Sequence, residues 1–126
     1  MNIYRENILD HYKNPRNHGP LPGADVTVEE SNPVCGDRLK LMYKLDGDRV
    51  GQITFEGEGC AISLAAASML TELAQGKTFA ELGRIRDADM LKEIGVPLSP
   101  TRVKCGLLAL SGLRKSLKHD TVARHG

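Results

Sequence analysis

Three cysteines, at positions 35, 60 and 105, are the residues of this 126-residue sequence best suited to chemistry. Cys35 lies in NPVCGDRLKL, residues 32–41, where a loop gives way to the alternating pattern of a strand. A structural cysteine is usually buried among apolar neighbours and behaves as a small inert hydrophobe. Cys35 instead has loop residues around it and a carboxylate, Asp37, two positions later. This setting indicates a functional thiol.

A metal site is the chemistry that these residue types favour. Gly36 can bend freely, so Cys35 and Asp37 can face the same ion. Three thiolates and one oxygen ligand satisfy the tetrahedral preference of zinc, and they suit iron in a sulfide-bridged cluster equally well. The sequence therefore predicts a site made of Cys35, Asp37, Cys60 and Cys105. On spacing alone the alternative of three unrelated cysteines stays open, because the cysteines are far apart and no CxxC pair is present.

Composition narrows the class of protein. The 17 basic and 16 acidic residues leave a formal net charge of +1, so no global field favours nucleic acid or an anionic membrane. No apolar run is long enough for a signal peptide or a spanning helix. We therefore expect a cytoplasmic protein that binds neither nucleic acid nor membrane. In that reducing compartment a structural disulfide is not expected, and an odd number of cysteines cannot all pair.

Apolar periodicity predicts a helix followed by a small sheet. The first helix ends at Asn14-Pro15, because the residue before a proline is pushed out of the helical region. Three strands follow a polar loop, around residues 26–28, 39–45 and 50–55. Asp46-Gly47-Asp48 turns the chain between the last two strands. Since Val50 differs in parity from Ile53 and Phe55, a bulge near Gly51 is expected.

Helical segments fill the second half of the sequence. They are predicted at residues 60–76, 78–82, 87–95 and 105–118, with Thr78 and Asp87 as N-caps of the two short ones and Gly76 as a left-handed cap. Cys60 and Cys105 are predicted to open the first and last of these helices. Helix N-termini carry partial positive charge, which favours the thiolate form.

The order of elements predicts an α+β class: a three-stranded antiparallel sheet with helices packed on one face. One domain is expected over residues 1–126, with a mobile loop at 14–24 and a frayed tail at 119–126.

Three motifs carry a family resemblance. They are NPVCGD at 32–37, GEGCAIS at 57–63 and RVKCGLLAL at 102–110, and YRENILDHYKNPRNHG precedes them at 4–19. In this order they resemble the U-type iron–sulfur scaffold family, which comprises IscU, SufU and the N-terminal domain of NifU. The resemblance implies a SufE/IscU-like fold with cluster ligands at Cys35, Asp37, Cys60 and Cys105.

The same resemblance implies a function. Family members build a cluster from iron and from sulfur that a cysteine desulfurase delivers, and they pass it to acceptor apo-proteins. For this chain that implies a non-enzymatic scaffold that carries a transient iron–sulfur cluster, expected to be [2Fe–2S], and that holds zinc when purified in air.

The third motif departs from the IscU pattern. Lys104 precedes Cys105 where IscU-type members carry a histidine, and VPLSPTRVKC replaces the LPPVK sequence that an Hsp70-type chaperone reads. The resemblance therefore does not extend to chaperone recognition. The RVKC form is SufU-like, although the insertion typical of SufU between the second and third cysteines has no room here.

SufU-like proteins resemble zinc-dependent sulfur acceptors as much as scaffolds. In that alternative Cys105, beside Lys104, is the candidate persulfide acceptor, and the protein is a zinc-dependent sulfurtransferase that stimulates the desulfurase. A small module with a purely structural zinc is the third alternative. Catalytic bases for a cysteine hydrolase are less favoured, because none of His11, His18, His119 and His125 lies in a motif; surface histidines are expected instead.

Overall fold

A computed structural model describes residues 3–34 and 36–125 of the chain. Its elements are, in order, α1 (Ile3–Lys13), β1 (Val26–Asn32), β2 (Asp37–Asp46), β3 (Arg49–Glu58), α2 (Ala61–Ala74), α3 (Phe79–Gly83), α4 (Asp87–Ile94) and α5 (Pro100–His125). The predicted α+β order, one helix, three strands and then helices, is confirmed. Among the helices of this described part, none combines the length and the apolar character needed to cross a membrane.

The sheet is an antiparallel meander in the order β1-β2-β3. Its apolar face buries alternate residues, Leu39, Leu41 and Tyr43 on β2 and Ile53 and Phe55 on β3. The register shifts where Lys44 pairs with Gln52 while Leu45 pairs with Val50, which leaves Gly51 as the extra residue. This is the bulge that the parity of Val50 predicts, and it allows the Val50 side chain to be fully buried.

Helices α2 and α5 supply the layer that covers this face. Their stripes of alanine, methionine and leucine join the side chains of β2 and β3 in one buried cluster. At the centre the Tyr43 hydroxyl lies 2.9 Å from Ser116 Oγ on α5. Helix α1 ends at Lys13, immediately before Asn14-Pro15 as predicted, and packs against α2.

The loop at 14–24 is attached to β3 by backbone hydrogen bonds. Gly19 N–H donates to the Phe55 carbonyl and Phe55 N–H donates to the Asn17 carbonyl, both at 3.0 Å. Leu21, farther along the loop, is buried. The loop is thus held against the sheet at residues 17–19, and its mobility stays a prediction.

Two helix starts differ from the sequence prediction. Arg86, not Asp87, is the N-cap of α4, and its backbone N–H donates to the Asp89 carboxylate at 2.8 Å. Helix α5 begins at Pro100, because proline suits the first helical position and Ser99 accepts the N–H of Arg102 at 3.4 Å. Cys105 therefore lies in the second turn of α5 and does not open it.

The end of α5 also differs from the predicted helix at 105–118, because the helix continues to His125. Fraying of the tail at 119–126 stays a prediction. The physical reason is that HDTVARH, residues 119–125, contains no proline or glycine to interrupt the helical backbone.

Candidate metal centre

Asp37, Cys60 and Cys105 meet at one end of the sheet. Asp37 is the first residue of β2, Cys60 is the N-cap of α2, and Cys105 lies in the second turn of α5. One potential ligand atom from each lies within 4.8 Å of the others. Folding thus brings together three of the four residues of the predicted metal site. Cys35 lies outside the described residues, so its part in the site stays a prediction.

The Asp37 carboxylate is buried and held in one orientation. Its side chain is 1% exposed, and Oδ1 accepts the backbone N–H of Cys60 at 3.0 Å. The other oxygen, Oδ2, lies 3.9 Å from Cys60 Sγ. Because one oxygen is engaged by the start of α2, Oδ2 is the oxygen placed to share an ion with the sulfur.

This spacing fits a tetrahedral metal ion. With zinc–sulfur distances of about 2.3 Å and zinc–oxygen distances of about 2.0 Å, neighbouring ligand atoms lie roughly 3.5 Å apart. The 3.9 Å between Asp37 Oδ2 and Cys60 Sγ differs from that value by a few tenths of an ångström. A mixture of sulfur and carboxylate donors also suits zinc or iron better than magnesium or calcium, which take oxygen ligands.

Gly59 leaves room for the Asp37 carboxylate at this position. A Cβ added at Gly59 would lie 2.4 Å from Asp37 Oδ1 and 2.8 Å from Ser63 Oγ, closer than real contacts allow. The backbone before α2 therefore packs directly on the carboxylate. The sequence pattern did not predict Gly59 and Ser63 as site residues, although both belong to the GEGCAIS motif.

Asn32 orders the turn that leads into Asp37. Its side chain is buried, its Oδ1 accepts the N–H of Val34 at 3.2 Å, and its carbonyl accepts the N–H of Gly36 at 2.8 Å. Gly36 has φ of 75°, in the left-handed region that glycine reaches without steric cost. The predicted bend at Gly36 is confirmed, while Asn32 was missed although an Asn-Pro pair is a known turn signal.

The two described thiols differ in exposure. Cys105 is 2% exposed, whereas Cys60 is half-buried. The helix N-terminus argument for a thiolate at Cys105 is wrong, because α5 starts five residues earlier, and Lys104 beside it is exposed. Cys60, by contrast, is the N-cap of α2 as predicted.

His11 is a buried structural residue rather than a surface histidine, so that expectation was wrong. Its Nδ1 lies 2.7 Å from Ser68 Oγ, which also accepts the backbone N–H of Arg16 at 2.8 Å. Burial lowers the pKa of His11, and the positive charge of Arg16 lowers it further. His18 is exposed as expected, and the side chains of His119 and His125 lie outside those described.

Comparison with known proteins assigns the chain to a family. The model of the "NifU-like N terminal domain" matches residues 3–122. The chain belongs to the NifU-like N-terminal domain family. The "Zinc-dependent sulfurtransferase SufU" of Bacillus subtilis is 40% identical over 135 residues, which cover 94% of this chain and 91% of the relative.

Two further members of the family agree with this assignment. The "Iron-sulfur cluster assembly scaffold protein IscU" of Streptococcus pyogenes is 34% identical over 140 residues, covering 98% of this chain and 87% of the relative. The crystal structure of a protein described as a putative scaffold for the SUF system, from Fervidobacterium islandicum, matches with a TM-score of 0.77 at 33% identity over 89% of this chain and 94% of that one. The family resemblance and the IscU/SufU-like fold predicted from the motifs are confirmed.

Proposed function

We propose that this chain is a scaffold for iron–sulfur cluster assembly. It receives sulfane sulfur from a cysteine desulfurase and combines it with ferrous iron and with electrons from an external reductant, which complete the conversion of the sulfur to sulfide. It then transfers the cluster to apo-proteins. The observation that carries the proposal is the convergence of Asp37, Cys60 and Cys105 ligand atoms within 4.8 Å of one another. Cys35 is proposed as the fourth ligand. We place the protein in the cytoplasm, since a site of thiolates persists best in a reducing compartment.

Zinc is the proposed resident metal, and the cluster, proposed to be [2Fe–2S], is the cargo. Bound zinc keeps cysteine ligands deprotonated and undergoes no redox change of its own. Asp37 supplies the one hard ligand, and a carboxylate matches thiophilic iron less well than a thiolate does. The bond from Asp37 is therefore proposed as the weakest of the four and the first to break during transfer.

A second candidate function is zinc-dependent sulfur acceptance. It is favoured by the 40% identity to the zinc-dependent sulfurtransferase of Bacillus subtilis and by the RVKC form of the third motif. Because the LPPVK sequence is replaced here, an Hsp70-type chaperone is left out of the proposal. In this reaction a thiolate of the chain attacks the outer sulfur of the desulfurase persulfide. A new S–S bond forms on the chain, the old one breaks, and the desulfurase cysteine leaves as a thiolate.

The acceptor cysteine in this second candidate is open to two choices. Cys105 is the acceptor that the third motif favours, but its 2% exposure requires the side chains around it to move before a second protein reaches its sulfur. Cys60 is half-buried and stands at the N-terminus of α2. Mass spectrometry of the peptides containing each cysteine, after mixing with a desulfurase and cysteine, identifies the one that gains a sulfur atom.

Anaerobic reconstitution tests the proposed function. The protein is mixed with a cysteine desulfurase, cysteine, ferrous iron and a thiol reductant that supplies electrons for sulfide formation, and visible absorption and desulfurase turnover are recorded. Persulfide on the chain is measured in a parallel sample without the reductant. A protein-bound cluster that passes to an apo-ferredoxin supports the scaffold. Faster turnover with persulfide on the chain but no bound cluster supports the sulfur acceptor. If neither a cluster nor faster turnover is seen, only the structural zinc module remains.

The ligand set is tested separately by metal content. Cys35→Ala, Cys60→Ala and Cys105→Ala are each expected to lose most of the single zinc ion of the wild type. Val34→Ala is the matched control, because Val34 is 80% exposed in the loop that carries Cys35. Full zinc retention in any cysteine variant removes that residue from the site.

A further inference from the structure

Ser63 places a buried hydroxyl in the wall of the candidate metal centre. It is the third residue of α2, and its side chain is fully buried. Its Oγ lies 3.0 Å from the Cys60 carbonyl oxygen, to which it donates, and 3.7 Å from Cys60 Sγ. The proposed function uses Cys60 as a ligand and gives Ser63 no role.

The bond from Ser63 to the Cys60 carbonyl is redundant. That carbonyl also accepts the backbone N–H of Leu64 at 3.2 Å, which is the ordinary first hydrogen bond of α2. If the Ser63 hydroxyl donates elsewhere, the Cys60 carbonyl therefore still has a hydrogen-bond donor. Since a serine hydroxyl hydrogen turns about its own C–O bond, it can change acceptor without movement of any heavier atom.

Binding of a metal changes which acceptor is stronger. A Cys60 thiol can donate to Ser63 Oγ, but a metal-bound thiolate has no proton and carries negative charge. Hydrogen bonds to charged acceptors are roughly twice as strong as those between neutral groups. The Ser63 hydroxyl lies 3.7 Å from this sulfur, and a Cβ added at Gly59 would crowd that hydroxyl at 2.8 Å.

We propose that Ser63 donates a hydrogen bond to the Cys60 sulfur when that sulfur binds metal, and so acts as a positioning residue for the ligand. The inference rests on the proposed metal site. The bond fixes the direction of the sulfur and withdraws electron density from it. Hydrogen bonds to ligand sulfur are among the factors that set metal affinity and the potential of an iron–sulfur cluster.

Cobalt(II) in place of zinc provides the test, because its sulfur-to-metal charge-transfer band reports the electron density on the sulfur. In Ser63→Ala we expect this band to move to longer wavelength and the cobalt affinity to fall by about tenfold. Ser63→Thr retains a hydroxyl and is expected to show the band position and the cobalt affinity of the wild type. Ser116→Ala is the matched control, since Ser116 is a buried serine of α5 that also donates to the carbonyl three residues earlier, here at 2.7 Å.

Three results would overturn the role of Ser63 while leaving the proposed metal site in place. One is a folded Ser63→Ala protein with the wild-type band and affinity, and another is an equal change in Ser63→Thr, which would assign the effect to packing. The third needs no variant: a cobalt–sulfur stretching frequency of the wild type that does not move on exchange into D2O. A wild type without any charge-transfer band refutes the proposed metal site itself, and with it the role of Ser63.

Discussion

Replacing Gly59 with alanine is expected to weaken metal binding while leaving the fold intact. The added Cβ would lie 2.4 Å from Asp37 Oδ1, and contacts under 3.0 Å are essentially never seen, so the two atoms must separate by about 0.6 Å. Metal–ligand distances tolerate only about ±0.2 Å. The carboxylate is 1% exposed and bonded to Cys60 N–H, so it cannot move that far and keep both its hydrogen bond and its place beside the sulfur.

The expected magnitude is a fall in zinc affinity of at least about tenfold, the loss typical of groups that orient metal ligands. Competition against a colorimetric zinc chelator measures it, and thermal unfolding of the metal-free protein reports the fold. Two control variants separate the clash with Asp37 from backbone strain and from glycine replacement in general. Gly76→Ala introduces backbone strain at φ of +80° with nothing within 4 Å, and Gly83→Ala meets nothing within 4 Å and has no left-handed backbone.

Both control variants are expected to bind zinc as the wild type does. Wild-type zinc affinity in Gly59→Ala would refute the reasoning, because it would mean that the carboxylate either moves without consequence or is not a ligand. A loss of affinity shared by Gly76→Ala would assign the effect to backbone strain instead.

The remaining predictions concern Asp37, His11 and the metal itself. Asp37→Asn keeps a neutral oxygen acceptor for the Cys60 N–H, so the metal-free protein should be about 0.5–1.5 kcal/mol more stable than Asp37→Ala in urea unfolding. Both variants should transfer a reconstituted cluster to apo-ferredoxin at altered rates; wild-type rates would make Asp37 a turn residue only. Because burial lowers the pKa of His11 below 6.5, the unfolded chain takes up that proton first as the pH falls. Stability of the metal-free protein should therefore be constant above pH 6.5 with respect to this group and decline below it, and His11→Gln should show a shallower decline; equal slopes would contradict this. Chelator should strip zinc without loss of circular dichroism, since the core is built from apolar residues away from the site; cooperative unfolding on chelation would be the opposite result.

Features set by local sequence were predicted well. The parity conflict at Val50 locates the bulge, and the change of periodicity after Gly59 locates the start of α2 at Cys60. The start of α5 was misjudged because the leucine spacing begins at Leu107, whereas the helix begins where Ser99 and Pro100 provide a cap and a fixed φ. Capping groups, rather than the apolar stripe, decided that boundary.

Features set by contacts between distant segments were not predictable from pattern. His11 is buried because α1 packs on α2, which brings Ser68 within 2.7 Å of its ring. Gly59 is required because the Asp37 carboxylate, on β2, occupies the space that a Cβ at position 59 would need. The residues that flank His11 and Gly59 in the sequence give no sign of these contacts. The cysteines and Asp37 were recognised from three motifs taken together, since their spacing alone left unrelated cysteines as an equal alternative.

The site draws its described ligands from β2, α2 and α5, and this order sets when it can exist during synthesis. A ribosome releases Asp37 and Cys60 well before Cys105, so a nascent chain holds an incomplete set of ligands until its last helix emerges. Metal binding by the full proposed ligand set is therefore expected only once Cys105 has been synthesised. A product that stops before α5 lacks Cys105 and retains only Cys35, Asp37 and Cys60 of that set. Zinc held by all four ligands thus marks a chain that extends at least through Cys105.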